Sequence, residues 1–219
     1  MLAAAIVLGL APAGCGTSGR GGRAGRPAGA TVSATRCGRG GMRVRSLRGQ
    51  VAVVVGGRDA SFSKRFAVCW LPTGRVTALT RESYATRLRL GSVAAAGPYA
   101  VAALSEVGLA GDEPTFSEVF EVNARTGRRL HDFFPGGTKI NGSEVHEVVI
   151  AGDGAFAFRG TGDTCQGRVG IVTVASGGRH TLDCDTGAEP PGQEISMLTL
   201  TGQTISWTHM GATHSAALP

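Results

Sequence analysis

Ser92-Val-Ala-Ala-Ala-Gly97-Pro-Tyr-Ala-Val-Ala-Ala-Leu104 is an apolar run, a Gly97-Pro98 turn and a second apolar run. Short apolar runs on either side of a turn dipeptide read as two strands of a hairpin. A polar stretch over 105–115 follows. Ser117-Glu-Val-Phe-Glu-Val122 then alternates with period two, as a strand does. Asn123-Ala-Arg-Thr-Gly127 turns the chain, and 128–133 supply a fourth strand. The unit is a four-stranded antiparallel meander.

The same order recurs along the chain. Its first copy runs from Met42 to Leu47, Val51 to Val55, Arg65 to Trp70 and Arg75 to Leu79. The third holds Glu147 to Ile150, Ala155 to Phe158, Val169 to Val174 and Arg179 to Leu182, and the fourth supplies Ile195 to Leu200, Thr204 to Thr208 and His214 to Leu218. Gly-Arg turns at Gly74-Arg75, Gly127-Arg128 and Gly178-Arg179 mark the period, 53 and 51 residues apart. A period in this range means one supersecondary unit stacked on copies of itself. A single meander has an apolar face on each side and can cover neither, so neighbours must stack, as propeller blades do. The expected fold is all-β: a β-propeller of about four four-stranded blades, as a closed ring or an open arc. Three full modules and a fourth with three strands make fifteen. Thr31–Arg36 would be the sixteenth, closing the last blade and removing an exposed ladder edge.

At this point the chain resembles secreted bacterial β-propellers of the TolB-like or WD40-like kind. Ile150-Ala-Gly-Asp-Gly-Ala-Phe-Ala-Phe158 is similar to that family's Ser-Pro-Asp-Gly turn and the buried strand after it, with Ala151-Gly152 in place of Ser-Pro. Gly97-Pro-Tyr-Ala-Val-Ala-Ala103 is similar to its Gly-x-Tyr-x-x-Ala element, although no Trp-Asp dipeptide closes a blade. The resemblance covers about residues 37–218. It implies a fold and leaves function open, since propellers host binding modules, scaffolds and hydrolases.

The N-terminus points to export. Met1 to Ala13 is apolar apart from Gly9 and Pro12, too short for a bilayer-spanning helix, and ends in Ala11-Pro12-Ala13, an A-x-A cleavage pattern. Ala13-Gly14-Cys15 resembles the end of a lipobox, with Pro12 where the pattern wants Leu. Residues 1–14 are therefore read as a lipoprotein-like signal peptide and Cys15 as its lipidation candidate. Residues 15–30, rich in Gly and Arg, form a flexible tether, and 31–219 form the repeat domain.

Four further cysteines fit an oxidising compartment. Cys37–Cys69 and Cys165–Cys184 are the favoured disulfides among three connectivities, because each pair lies inside one repeat. None of the cysteine spacings reads as zinc.

Charge is uneven. Residues 20–81 carry +12 and residues 82–219 carry −6, within a net +6. With 20 Arg against two Lys, the basic part reads as a compositional bias and a solvated face. It would favour an anionic membrane surface if Cys15 is lipidated. Nucleic acid is not an expected partner, because only 5% of residues are aromatic and most of these sit in strand patterns.

Chemical motifs are sparse. Ser61-Phe-Ser-Lys64 has the S-x-x-K spacing of acyl-enzyme serines without the companion motifs. His146-Glu147 opens like H-E-x-x-H, but Ile150 stands at the second histidine's place. His131, Glu144 and His146 could meet at one rim as a ligand site. No P-loop, dinucleotide fingerprint, EF-hand loop or G-x-S-x-G occurs, so no cofactor, metal or catalytic residue is assigned. The expectation is an exported, extracytoplasmic propeller, secreted or held at the outer face of the cell membrane, that binds a protein or small molecule through its loops. A propeller-family hydrolase or lyase, and a structural fragment of a longer propeller, are the alternatives.

Overall fold

The computed structural model describes residues 36–38, 41–56, 64–81, 86–108, 114–135, 143–162 and 165–219. The expected signal peptide, Cys15, the tether, most of the Thr31–Arg36 strand, and Ser61 lie outside these residues. Among the described residues, fifteen strands form four antiparallel sheets, each a simple meander. Blade 1 contains β1 (Arg43–Arg48), β2 (Val51–Gly56), β3 (Arg65–Trp70) and β4 (Arg75–Arg81). Blade 2 contains β5 (Thr86–Ala96), β6 (Tyr99–Gly108), β7 (Pro114–Asn123) and β8 (Arg128–Phe133). In blade 3 follow β9 (Val145–Ile150), β10 (Phe156–Thr161), β11 (Val169–Ala175) and β12 (Gly178–Cys184). Blade 4 has β13 (Ser196–Thr201), β14 (Thr204–His209) and β15 (Ala212–Ala217).

The recurring Gly-Arg turns have a double purpose. Gly74 and Gly127 close their hairpins at φ of +74° and +77°, a region that side chains with a Cβ avoid. The arginines around these turns then cross to the neighbouring blade. Arg75 donates to the Thr126 carbonyl at 2.6 Å, and Arg129 donates through Nε and a terminal nitrogen to the Ala78 carbonyl at 3.1 and 2.7 Å. Arg125 lies over the Trp70 ring and Arg179 over Phe133, 5.5 and 4.9 Å from the ring centres. At Gly74-Arg75 one dipeptide thus shapes a turn and helps hold a seam, and arginines beside the other turns reinforce the seams.

Alternation sends successive side chains to opposite faces, so blades 1, 2 and 3 each feed two cores and blade 4 feeds one. Val51, Val53, Phe66, Val68 and Trp70 of blade 1 pack with Ala100, Ala102, Leu104, Phe120 and Val122 of blade 2. The other face of blade 2, with Val101, Ala103 and Val119, meets Val148, Ile150, Phe156 and Phe158 of blade 3. Ala157 and Ile171 of blade 3 then meet Leu198, Ile205 and Trp207 of blade 4.

The blades form an open, propeller-like arc. The far face of blade 1, with Ala52, Val54, Ala67 and Cys69, packs under Cys37 and beside Met42 and Val44. Cys37 is bonded to Cys69, and the Arg36 guanidinium donates to the Pro72 carbonyl at 3.0 Å. The segment expected to complete blade 4 therefore leads directly into residues tied to blade 1. Among the described residues, blade 4 keeps three strands. Both expected disulfides form, Cys37–Cys69 and Cys165–Cys184, with Cα separations of 5.9 and 5.5 Å.

Candidate functional site

Two clusters of titratable groups lie at blade seams. The first sits beside a cleft of about 410 Å³ where blades 2 and 3 meet, lined by Tyr99, Glu121, Arg128, His131, Asp153 and Ser176 among others. Glu121 of β7 pairs with His131 of β8 across the sheet. Both faces of blade 2 are covered, so Glu121 points into the seam and is 3% exposed. Its Oε2 lies 3.2 Å from His131 Nδ1. Burial pushes the Glu121 carboxyl up to about 7 and pulls the imidazole of His131 below its ordinary value. Both shifts favour neutral forms, and a protonated Glu121 facing the Nδ1 lone pair suits them. The cleft also depends on close approach at Gly154, where a Cβ would stand 3.1 Å from Glu121 Oε1 and the Tyr99 ring.

Of the expected rim residues, the contacts of His131 run to Glu121 and to the Phe156 ring. His146 Nδ1 lies 4.0 Å from Glu144 Oε1, at the entrance to β9. Burial, joined by the positive field of Arg159, lowers the His146 pKa. Glu147 points the other way, as alternation requires, and spans the next seam. Its Oε2 accepts from Arg159 Nε at 2.8 Å and from the Leu198 amide at 2.9 Å. Burial works against its charge, but those two donors hold the carboxyl below its usual range.

The second cluster joins blades 3 and 4. Asp183 stands one residue before Cys184, the end of β12; Asp185 and Glu189 stand on the connection to β13, and His209 ends β14. Asp183 Oδ2 accepts from Trp207 Nε1 at 2.7 Å and faces His209 Nδ1 at 2.9 Å. His209 Nε2 is buried without a hydrogen-bond partner, 3.6 Å from both Asp185 Oδ1 and Glu189 Oε1. Both carboxylates are held by backbone amides. Asp185 accepts from Ile195 N at 2.9 Å, and Glu189 accepts from Gly187 N at 2.7 Å and from Thr186 N. The amide of Thr186 leads the interactions that hold the Glu189 carboxyl down at about 2. Burial opposes a charge on His209, yet its bond to Asp183 and the fields of Asp183 and Asp185 hold its pKa above the ordinary value.

Sequence reasoning named His131 but not its partner Glu121, and it passed over the second cluster. The available signals were the His209-x₄-His214 spacing and the two acids flanking Cys184. No protein-family model matches the chain, and no curated protein matches its sequence. What the fold defines is a class: an all-β protein of stacked, propeller-like meanders carrying two disulfides.

Proposed function

We propose that this chain is an exported binding protein, related to the TolB-like or WD40-like propellers and anchored by lipid on Cys15 to the outer face of the cell membrane. Its cleft between blades 2 and 3 takes a loop of a partner protein or a small polar ligand. The observation that carries the reading is this cleft of about 410 Å³, set on a scaffold that two disulfides brace. Disulfides persist in oxidising compartments, which agrees with the A-x-A and lipobox-like N-terminus. Loops on a rigid repeated frame are the usual place for recognition.

The pairing of Glu121 and His131 favours a second reading, a hydrolase or lyase. A carboxyl with a pKa of about 7 is suited to general acid–base work at neutral pH.

The test is the intact mass and location of the protein made from its own start. A lipid-modified species beginning at Cys15, recovered with membranes and released by Cys15→Ser, is the expected result. A species that retains Met1, in the cytosol with reduced thiols, overturns the export reading. Ligands that shift the amide resonances of Tyr99, Gly154 and Ser176 without being converted support binding; turnover that is lost in Glu121→Gln supports the enzyme.

A further inference from the structure

We propose that Asp185, Glu189 and His209 form a binding site for one divalent transition-metal ion, Zn²⁺ by its donor set, which clips blade 4 to blade 3. The site is separate from the cleft of blades 2 and 3 and does not depend on the export reading.

The histidine carries the argument. Asp183 faces Nδ1 at 2.9 Å, so in the neutral imidazole Nδ1 bears the proton and Nε2 offers its lone pair; a metal ion there takes the place of the second proton that the surrounding acids favour. A carboxylate behind a histidine in this way is the usual support for a metal-binding imidazole. Nε2 itself is buried and unpartnered, in a residue only 9% exposed. A buried polar atom left unpaired is costly, and few native side chains tolerate it.

What Nε2 faces is equally specific. The oxygens of Asp185 and Glu189 each stand 3.6 Å away, too far for a hydrogen bond. It is, however, a fitting separation for two atoms bound to the same ion. Donors about 2.0–2.2 Å from one centre at tetrahedral angles lie roughly 3.3–3.6 Å apart. The three donor atoms all fall within 4.8 Å of one another. Backbone amides of Ile195, Gly187 and Thr186 orient the carboxylates, and these bonds leave room for each oxygen to take a cation.

Charge points the same way. Asp183, Asp185 and Glu189 surround one imidazole. The guanidinium of Arg168 stands against Gly187 on the same connection, about 3.0 Å from the place of its Cβ. Clustered buried carboxylates repel unless a cation joins them. One imidazole with two carboxylates suits Zn²⁺ better than Mg²⁺ or Ca²⁺, which prefer all-oxygen shells. Water would fill the fourth position. The Cys165–Cys184 bond fixes the short segment that carries both Asp183 and Asp185, so the metal and the disulfide brace the same seam.

The experiment is calorimetric titration of the oxidised, chelator-stripped protein with Zn²⁺, and separately with Ca²⁺ and Mg²⁺. The expected result is one Zn²⁺ per chain, weaker binding of the other two, and a higher thermal midpoint with Zn²⁺. Asp183→Asn should weaken Zn²⁺ binding by about 10–100-fold, the range for a supporting residue. Asp185→Asn and Glu189→Gln should weaken it more, and His180→Gln, at an exposed histidine, should change nothing. Glu189→Gln keeps an oxygen for only one of the Thr186 and Gly187 amides, so its metal-free thermal midpoint is measured beside the titration, and a variant that stays folded but loses Zn²⁺ binding isolates the ligand role. Absence of one-to-one binding in the wild-type protein overturns the proposal. So does binding that survives both Asp185→Asn and Glu189→Gln, which would place the ion on surface histidines.

Discussion

The two ends of the arc solve one problem in opposite ways. Blade 1 turns an apolar face outward, with Ala52, Val54, Ala67 and Cys69 all no more than 1% exposed beneath Cys37 and its neighbours. Blade 4 turns outward a surface of hydroxyls. Thr204, Ser206 and Thr208 of β14 alternate with the buried Ile205, Trp207 and His209, and they stand beside Thr199 and Thr201 of β13 and Thr213 and Ser215 of β15. An end blade in a stacked fold must be covered or be made polar. Here one end is covered by chain and pinned by a disulfide, and the other is polar by composition. The difference teaches that strand pattern alone does not say what a blade faces; the residue type on its free side does.

The largest effect should separate the two ends directly. Val54→Lys places a charge in the covered face of blade 1 and should cost about 4 kcal/mol or more. Thr204→Lys on blade 4 should cost less than about 1 kcal/mol. Urea unfolding of both variants measures this, and equal losses would break the comparison. The disulfides come next. They close loops of 32 and 19 residues, so on the chain-entropy account removing them should cost about 4 and 3 kcal/mol. Similar losses should have different consequences. Replacing Cys37 and Cys69 by Ala should also cause association in size-exclusion chromatography, because it loosens the cover on blade 1. The Cys165/Cys184 variant should remain monomeric.

A smaller effect comes from the middle of the arc and calibrates both ends. The Glu121 carboxyl, ordinarily near 4.5, is pushed up to about 7 by burial. Between those values the folded protein holds a proton that the unfolded chain has released. The resulting stability is fully present below about 4.5 and lost as pH rises through about 7. Glu118 is pushed up in the same direction, by burial and by its hydrogen bond to Asp132, so it adds to the fall with rising pH. Glu121→Gln should therefore be more favourable at pH 8 than at pH 4.5, by about 2–3 kcal/mol. Chemical denaturation at the two pH values checks it. The same increment should appear with and without Cys37–Cys69, since distant sites add.

Much of the frame was legible in the residues. Turn dipeptides and apolar runs located fifteen strands, and the repeat placed each cysteine pair correctly. The misses have physical causes. β5 begins at Thr86 although its apolar run starts at Ser92, because Arg87-Leu-Arg-Leu90 belongs to the same strand, with an irregularity between Leu90 and Val93. Glu121 read as a polar position on an alternating strand, but a blade inside a stack has two buried faces. That Glu121 is the cross-strand partner of His131 becomes visible only once the β7–β8 register is known. His209 and Asp183 are 26 residues apart and meet because two blades stack, which no local pattern records.

The unlike ends also bear on how copies of the molecule meet. Stacked sheets could extend from one chain to the next, head to tail, whenever one terminal face complements the other. A contact of that kind does not close on itself and grows into a filament. In this protein the oily terminus lies under a covalently fastened strap, and the opposite terminus offers hydroxyls that water satisfies as well as a neighbour could. The Cys37–Cys69 bond therefore guards solubility as well as stability, and a reducing environment would remove that guard before it unfolded the seams between blades.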